Sequence, residues 1–182
     1  MKKLLLAAVL LAAAISAQAQ EATPRKGYVG VAFGVAQPIV NSTGLSGGAQ
    51  LNLVNFGYLI GEHVGIAGTW FGTAFPVKNY GGYFVGTGGM MFGPLFSKSV
   101  AAGRIDLDVK PLIGFGSVSQ QYRGQTSSSS TSLAAGLSVA ARFNLGGRFS
   151  LSAGSDYYSV HPEYPGSRSS LSLVFGFNYR FN

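Results

Sequence analysis

From residue 27 onward, apolar and polar residues alternate one by one over most of the chain. That is the period of a strand with two unlike faces. Eight such segments stand out, at 27–37, 46–60, 63–75, 81–96, 104–121, 132–145, 148–160 and 169–181. Clusters of Gly, Ser, Asn and Pro separate them. No later segment holds 18 consecutive apolar residues, and no long stretch keeps a 3.6-residue apolar period. The connections alternate in character. Pro38–Leu45, Pro76–Tyr80, Gly124–Thr131 and His161–Arg168 are long, whereas Gly61-Glu62, Ser97–Gly103 and Gly146-Gly147 are tight. Strands of this length cover the ~9–11 residues needed to cross hydrocarbon. Short turns at one rim and longer loops at the other predict an all-β chain: an eight-stranded antiparallel up-and-down transmembrane β-barrel, with both termini at the short-turn rim.

The distribution of charge sharpens this. In the fifth segment Ile105, Leu107, Val109, Ile113 and Phe115 share one face, and Asp106, Asp108 and Lys110 the other. Leu133, Leu137, Val139, Phe143 and Leu145 oppose Ser138, Arg142 and Asn144 in the sixth. Phe149, Leu151 and Tyr157 oppose Ser150, Ser152 and Asp156 in the seventh. In the last, Leu171, Leu173, Phe175, Phe177, Tyr179 and Phe181 oppose Ser172, Asn178 and Arg180. The apolar face is large and aromatic, and the polar face is Ser, Asn and Gly with a few charges. This is the pattern of lipid outside and a polar interior. Asp106, Asp108 and Asp156 balance Lys110, Arg142 and Arg180 on the inward face. Buried charges must be paired, so these six residues are expected to form a lumenal ion-pair network that largely closes a narrow barrel.

The first four segments carry no clear inward charge and are rich in Gly30, Gly34, Gly48, Gly86, Gly88 and Gly89. These glycines fit barrel curvature and close packing. The alternative is a cavity on that side of the lumen, a narrow channel or pocket for small apolar molecules. The second segment changes phase near Asn55, which suggests a β-bulge.

Composition agrees. Of 182 residues only 10% are charged, against roughly 25% in soluble domains, while 47% are hydrophobic. A disordered chain and an ordinary soluble enzyme surface are both excluded. Residues 1–19 read as a secretory signal: Lys2 and Lys3, the apolar run Leu4 to Ile15, and Ala17-Gln18-Ala19 as the cleavage site. Residues 20–26 are then a periplasmic segment and 27–182 the barrel. With no Cys, neither disulfides, Cys-based metal sites nor a lipid-anchored form is expected. The excess of 13 basic over 6 acidic residues is partly the leader's own, and the only later basic pair is Arg25-Lys26. No nucleic-acid partner is expected.

Candidate chemistry is sparse. His63 and His161 are the only histidines, too few for a metal site without Cys. Ser159, His161 and Glu163 lie two apart on one face, a spacing open to a nucleophile–base reading. The run Ser127–Ser130 reads as a solvated loop tip. Gly86-Thr87-Gly88-Gly89 lacks the Lys and helix of a phosphate loop, and Asn41-Ser42-Thr43 is a chance sequon. Tyr28, Trp70, Tyr80, Tyr83, Tyr157 and Tyr158 are candidates for interfacial girdles. Tyr80, Tyr122 and Tyr164 are candidates for sugar stacking.

The leader, the eight amphipathic strands and the ending Gly176-Phe177-Asn178-Tyr179-Arg180-Phe181 resemble the small outer-membrane β-barrel proteins of Gram-negative bacteria, over essentially all of 27–181. The resemblance implies that Phe177, Tyr179 and Phe181 form the signal read by the barrel-assembly machinery, although Asn182 follows the terminal Phe. In that family's deacylases the Ser follows the His, the reverse of the order here. The expectation is therefore a non-enzymatic protein of the cell outer membrane, without cofactor or metal. Its partners would be membrane lipid, the assembly machinery and an unknown extracellular molecule.

Overall fold

The computed structural model describes residues 26–40, 43–122, 125–128, 131–163 and 167–182. The leader, residues 20–25, Asn41, Ser42 and Tyr164 lie outside these. Nine strands form: β1 Gly27–Val40, β2 Gly48–Leu59, β3 Val64–Pro76, β4 Tyr83–Val100, β5 Ile105–Tyr122, β6 Gln125–Ser128, β7 Ser132–Asn144, β8 Phe149–Val160 and β9 Arg168–Phe181. The short β6 pairs with the end of β5, and β7 pairs with the rest of it. The two are successive parts of one stave, so the nine strands make eight staves.

All neighbours are antiparallel, and pairing of β1 with β9 and of β4 with β5 closes the wall, with only the short β6, paired to β5 alone, overhanging at the loop rim. Closure satisfies the backbone donors and acceptors that no water could satisfy within lipid. Gly27 opposes Phe181, so the described ends of the chain share one rim with the short joints. At the joint between β4 and β5, Ala101, Ala102 and Gly103 all adopt positive φ, which packs the reversal into few residues.

Alternation decides which side each residue faces. Val29, Val31, Phe33 and Val35 on β1, and Leu171, Leu173, Phe175 and Phe177 on β9, are exposed on the outer wall. Phe33 and Leu173 keep 66% and 60% of their surface open, values that only an apolar solvent tolerates for a whole belt. Toward the terminal rim the belt ends in aromatic pairs. Phe149 stacks on Phe177 with centroids 5.3 Å apart, Tyr58 stacks on Phe181 at 6.3 Å, and Arg148 donates to the Tyr179 hydroxyl at 2.6 Å. This matches the aromatic girdle of transmembrane barrels.

β2 carries the expected bulge, placed at Leu53 and Val54. Its register with both neighbours slips there, and these two consecutive residues both face outward. One extra residue reverses the alternation. As a result Gln50 and Asn52 before the bulge, and Asn55 after it, all point inward and are buried.

Candidate functional site: the lumen

The interior divides into two zones. Toward the terminal rim, β5, β7, β8 and β9 turn their polar faces inward, and Asp106, Asp108, Lys110, Arg142, Asp156 and Arg180 are all buried. Arg142 is the hub. Its Nε donates to Asp108 Oδ2 at 2.7 Å and its Nη2 to Asp108 Oδ1 at 3.2 Å, a two-pronged contact. Nη2 also lies 3.5 Å from Asp106 Oδ2. The guanidinium sits over the Tyr28 ring, 3.9 Å from its centroid. Ser97 donates to Asp108 at 2.7 Å, Ser99 to Asp106 at 2.5 Å, and Asn144 to Asp106 at 3.3 Å. These bonds occupy the lone pairs that one cation leaves open.

Asp156 departs from the expected pairing with a cation. Gln50 Nε2, Asn52 Nδ2 and the Tyr158 hydroxyl all donate to its Oδ2, at 2.8, 2.9 and 3.0 Å. Gln50 is itself fixed by the Ser172 hydroxyl. Lys110 likewise donates to a neutral group, Asn55 Oδ1, at 2.9 Å. Amides on β2 thus do much of the work expected of opposite charges. Sequence reasoning missed Gln50 and Asn52. The phase change near Asn55 was the signal that could have found them.

Toward the loop-bearing rim the interior is mainly apolar. Phe71, Phe75, Val85, Met91, Leu112, Val118, Ala134, Tyr158 and Val160 form a buried cluster. The Phe71 and Tyr158 rings meet with centroids 4.5 Å apart. Thr73 and Thr87, facing the same space, satisfy each other at 2.7 Å. Leu45 caps the cluster from the loop between β1 and β2. That loop is tied down by Ser46 N to Pro76 O at 2.9 Å and Lys78 N to Gly44 O at 2.7 Å.

The glycines do not open a cavity into the lumen. Gly86 and Gly88 face outward, since Val85 and Thr87 beside them are buried inside. Gly30, Gly34, Gly48 and Gly89 abut neighbouring backbone so closely that a Cβ would collide with it. They permit close packing of the staves. A shallow hollow does lie at Gly72, Ala74 and Gly88, in the wall beside Trp70 and Leu51.

Ser159 and His161 do meet, Oγ to Nε2 at 2.9 Å. The other ring nitrogen, Nδ1, contacts Ser167 Oγ at 3.0 Å rather than Glu163, and Ser159 Oγ is also held by Ser169 Oγ at 2.7 Å. With Ser159 only 4% exposed, this is a closed ladder of hydroxyls across β8 and β9. Among the described residues no group of three His, Asp or Glu side chains is gathered as a metal site.

A closed barrel of eight staves with a continuous apolar outer belt has one solvent in which it is stable. It is an eight-stranded barrel of the outer-membrane type. Solved structures agree on the fold. Neisserial surface protein A is similar at a TM-score of 0.67 and 16% identity, covering 85% of this chain and 97% of that one. OprG from Pseudomonas aeruginosa matches at 0.52 and 10%, covering 90% and 100%. Ail, the attachment invasion locus protein of Yersinia pestis, matches at 0.51 and 17%, covering 85% and 99%. No protein-family model and no curated protein matches the sequence.

Proposed function

We propose that this chain is a non-conducting, non-enzymatic barrel of the cell outer membrane that acts through its wall and its loop-bearing rim. The observation that carries this is the lumen, filled by hydrogen-bonded charges in one half and by packed apolar side chains in the other. Eight staves leave an interior that side chains can fill. Here buried polar residues continue along β9 from Arg180 to Ser170, but they are hydrogen-bonded or packed against the apolar cluster rather than lining an open bore. The six buried charges act as a structural plug that fixes the wall. On β9, Phe177 and Tyr179 point outward and Phe181 stands at the terminal rim, where this strand closes against β1. We assign these three to the signal read by the assembly machinery. A surface role has a precedent of the same fold in a protein named for attachment.

The rival reading, a narrow passage for apolar molecules, has the apolar mouth in its favour. The Phe71–Tyr158 ring pair and Leu45 occupy that mouth. Liposome swelling decides between them. Vesicles loaded with the refolded protein are expected to swell in small sugars, amino acids or indole no faster than protein-free vesicles. Swelling that scales with protein content would overturn the closed-lumen reading.

A further inference from the structure

Two hairpins continue past the sealed mouth, and their inner faces are aromatic. Tyr83 and Tyr122 oppose each other across β4 and β5. They share the inward parity of Val85 and Val118, and Tyr83 and Val77 pack onto the apolar cluster below. With Tyr80 from the turn between β3 and β4 they line an open cavity of about 380 Å³. This parity excludes a membrane girdle, because girdle residues project from the outer wall into the lipid interface. The cup instead faces the barrel axis, above the lumen, where water reaches it.

Hydrogen bonds and ring packing fix the Tyr83 wall and the turn that carries Tyr80. The Tyr83 hydroxyl donates to Gln120 Oε1 at 2.7 Å, and the Tyr83 and Tyr122 rings meet edge-on at 5.8 Å. The turn is fixed by Val77 N to Tyr83 O at 3.0 Å and Tyr83 N to Tyr80 O at 3.2 Å, with Asn79 and Gly82 at positive φ. Tyr80 remains 66% exposed and Tyr122 43%. Rigid tyrosines give a large amphipathic contact at little cost in conformational entropy.

The lining chooses the ligand. Among the described residues no carboxylate lines the cup, and Lys78 stands in the same turn, so a quaternary ammonium, the usual guest of an aromatic cage, is disfavoured. Three tyrosine rings and Val77 make an almost wholly apolar lining, with the Tyr83 hydroxyl already bonded to Gln120, so the cup suits the apolar face of a neutral ring whose hydroxyls stay toward water. We propose that Tyr80, Tyr83 and Tyr122 form a binding site for a neutral pyranose sugar. The site rests on the reading above only in taking the loop-bearing rim as the outward one, and it is independent of whether the lumen conducts.

The test is titration of the refolded full chain in detergent with lactose, maltose and cellobiose, followed by saturation-transfer NMR and calorimetry. At least one disaccharide is expected to bind. Tyr80→Ala and Tyr122→Ala are each expected to weaken it ~10-fold, as for an aromatic anchor, while Tyr80→Phe keeps most of the affinity. Tyr80 lies exposed in a turn, so Y80A is expected to keep the heat-dependent gel mobility of a folded barrel even if Y122A does not. Competition by vesicles of core-complete but not deep-rough lipopolysaccharide would place the sugar in the cell's own membrane. Competition by neither would place it on another surface. Competition by both, tetramethylammonium binding that depends on Tyr80, no disaccharide binding, or undiminished binding in Y80A would each overturn the proposal.

Discussion

The two halves of the lumen are closed by different physics. Near the terminal rim, one guanidinium holds two carboxylates, and amides and hydroxyls bond to Asp106, Asp108, Asp156 and Lys110. Near the loops, packing suffices, and Phe71 against Tyr158 is its centre. A buried charge network is stable only while each member keeps its partners. An apolar cluster instead loses stability in proportion to the volume removed. The first should therefore fail abruptly on single substitutions, and the second by degrees. Tyr158 joins the zones, since its ring packs on Phe71 while its hydroxyl holds Asp156.

The sharpest way to break this comparison is Arg142→Leu. It strands Asp106 and Asp108 and is expected to cost about 3–5 kcal/mol in urea unfolding from lipid vesicles. Adding Asp108→Leu should recover part of that, because a hydrophobic pair of similar bulk replaces an ion pair at little net cost. Phe71→Ala should cost a similar ~3–5 kcal/mol through cavity formation. Unlike the charged site, Phe71→Leu should recover most of it without any second change. A control on the outer wall, Phe175→Arg, is expected to cost ~2–4 kcal/mol if that belt faces lipid near the midplane. Asp156→Asn sharpens the contrast with Arg142. An amide oxygen can accept from the same neutral donors, so the loss should be at most about 1.5–3 kcal/mol, the range for bonds to a charged group. The smallest effect belongs to His161→Ala. It cuts the hydroxyl ladder at its exposed end, should move stability by under ~1 kcal/mol, and should leave the lipid A profile of the expressing strain unchanged. A changed profile would revive the nucleophile–base reading of Ser159.

What the sequence revealed follows the contrast between strand faces. On β5, β7, β8 and β9 the charges and serines alternate with large apolar residues, so Asp106, Asp108, Lys110, Arg142, Asp156 and Arg180 could be assigned to the inner face from spacing alone. On β3 and β4 the contrast vanishes. Phe71 faces in beside outward Trp70, and Met91 faces in beside outward Met90, so period two carries no label for inside. The extra residue at Leu53 and Val54 removed the label from β2 as well, which hid Gln50 and Asn52. The same ambiguity hides which side Gly86 and Gly88 face. Only the burial of Val85 and Thr87 sets their direction. The partners of Asp156 were illegible for a further reason: Gln50 and Asn52 are more than 100 positions away, and only closure of the barrel brings them together.

Single-channel recording in planar bilayers tests the double seal most directly. The native chain, Arg142→Leu and Phe71→Ala should each show no stable conductance step, because either closure alone blocks the lumen. Only the combined variant, Arg142→Leu with Phe71→Ala, should open. Stable steps from the native chain, or from either single variant, would contradict two independent closures.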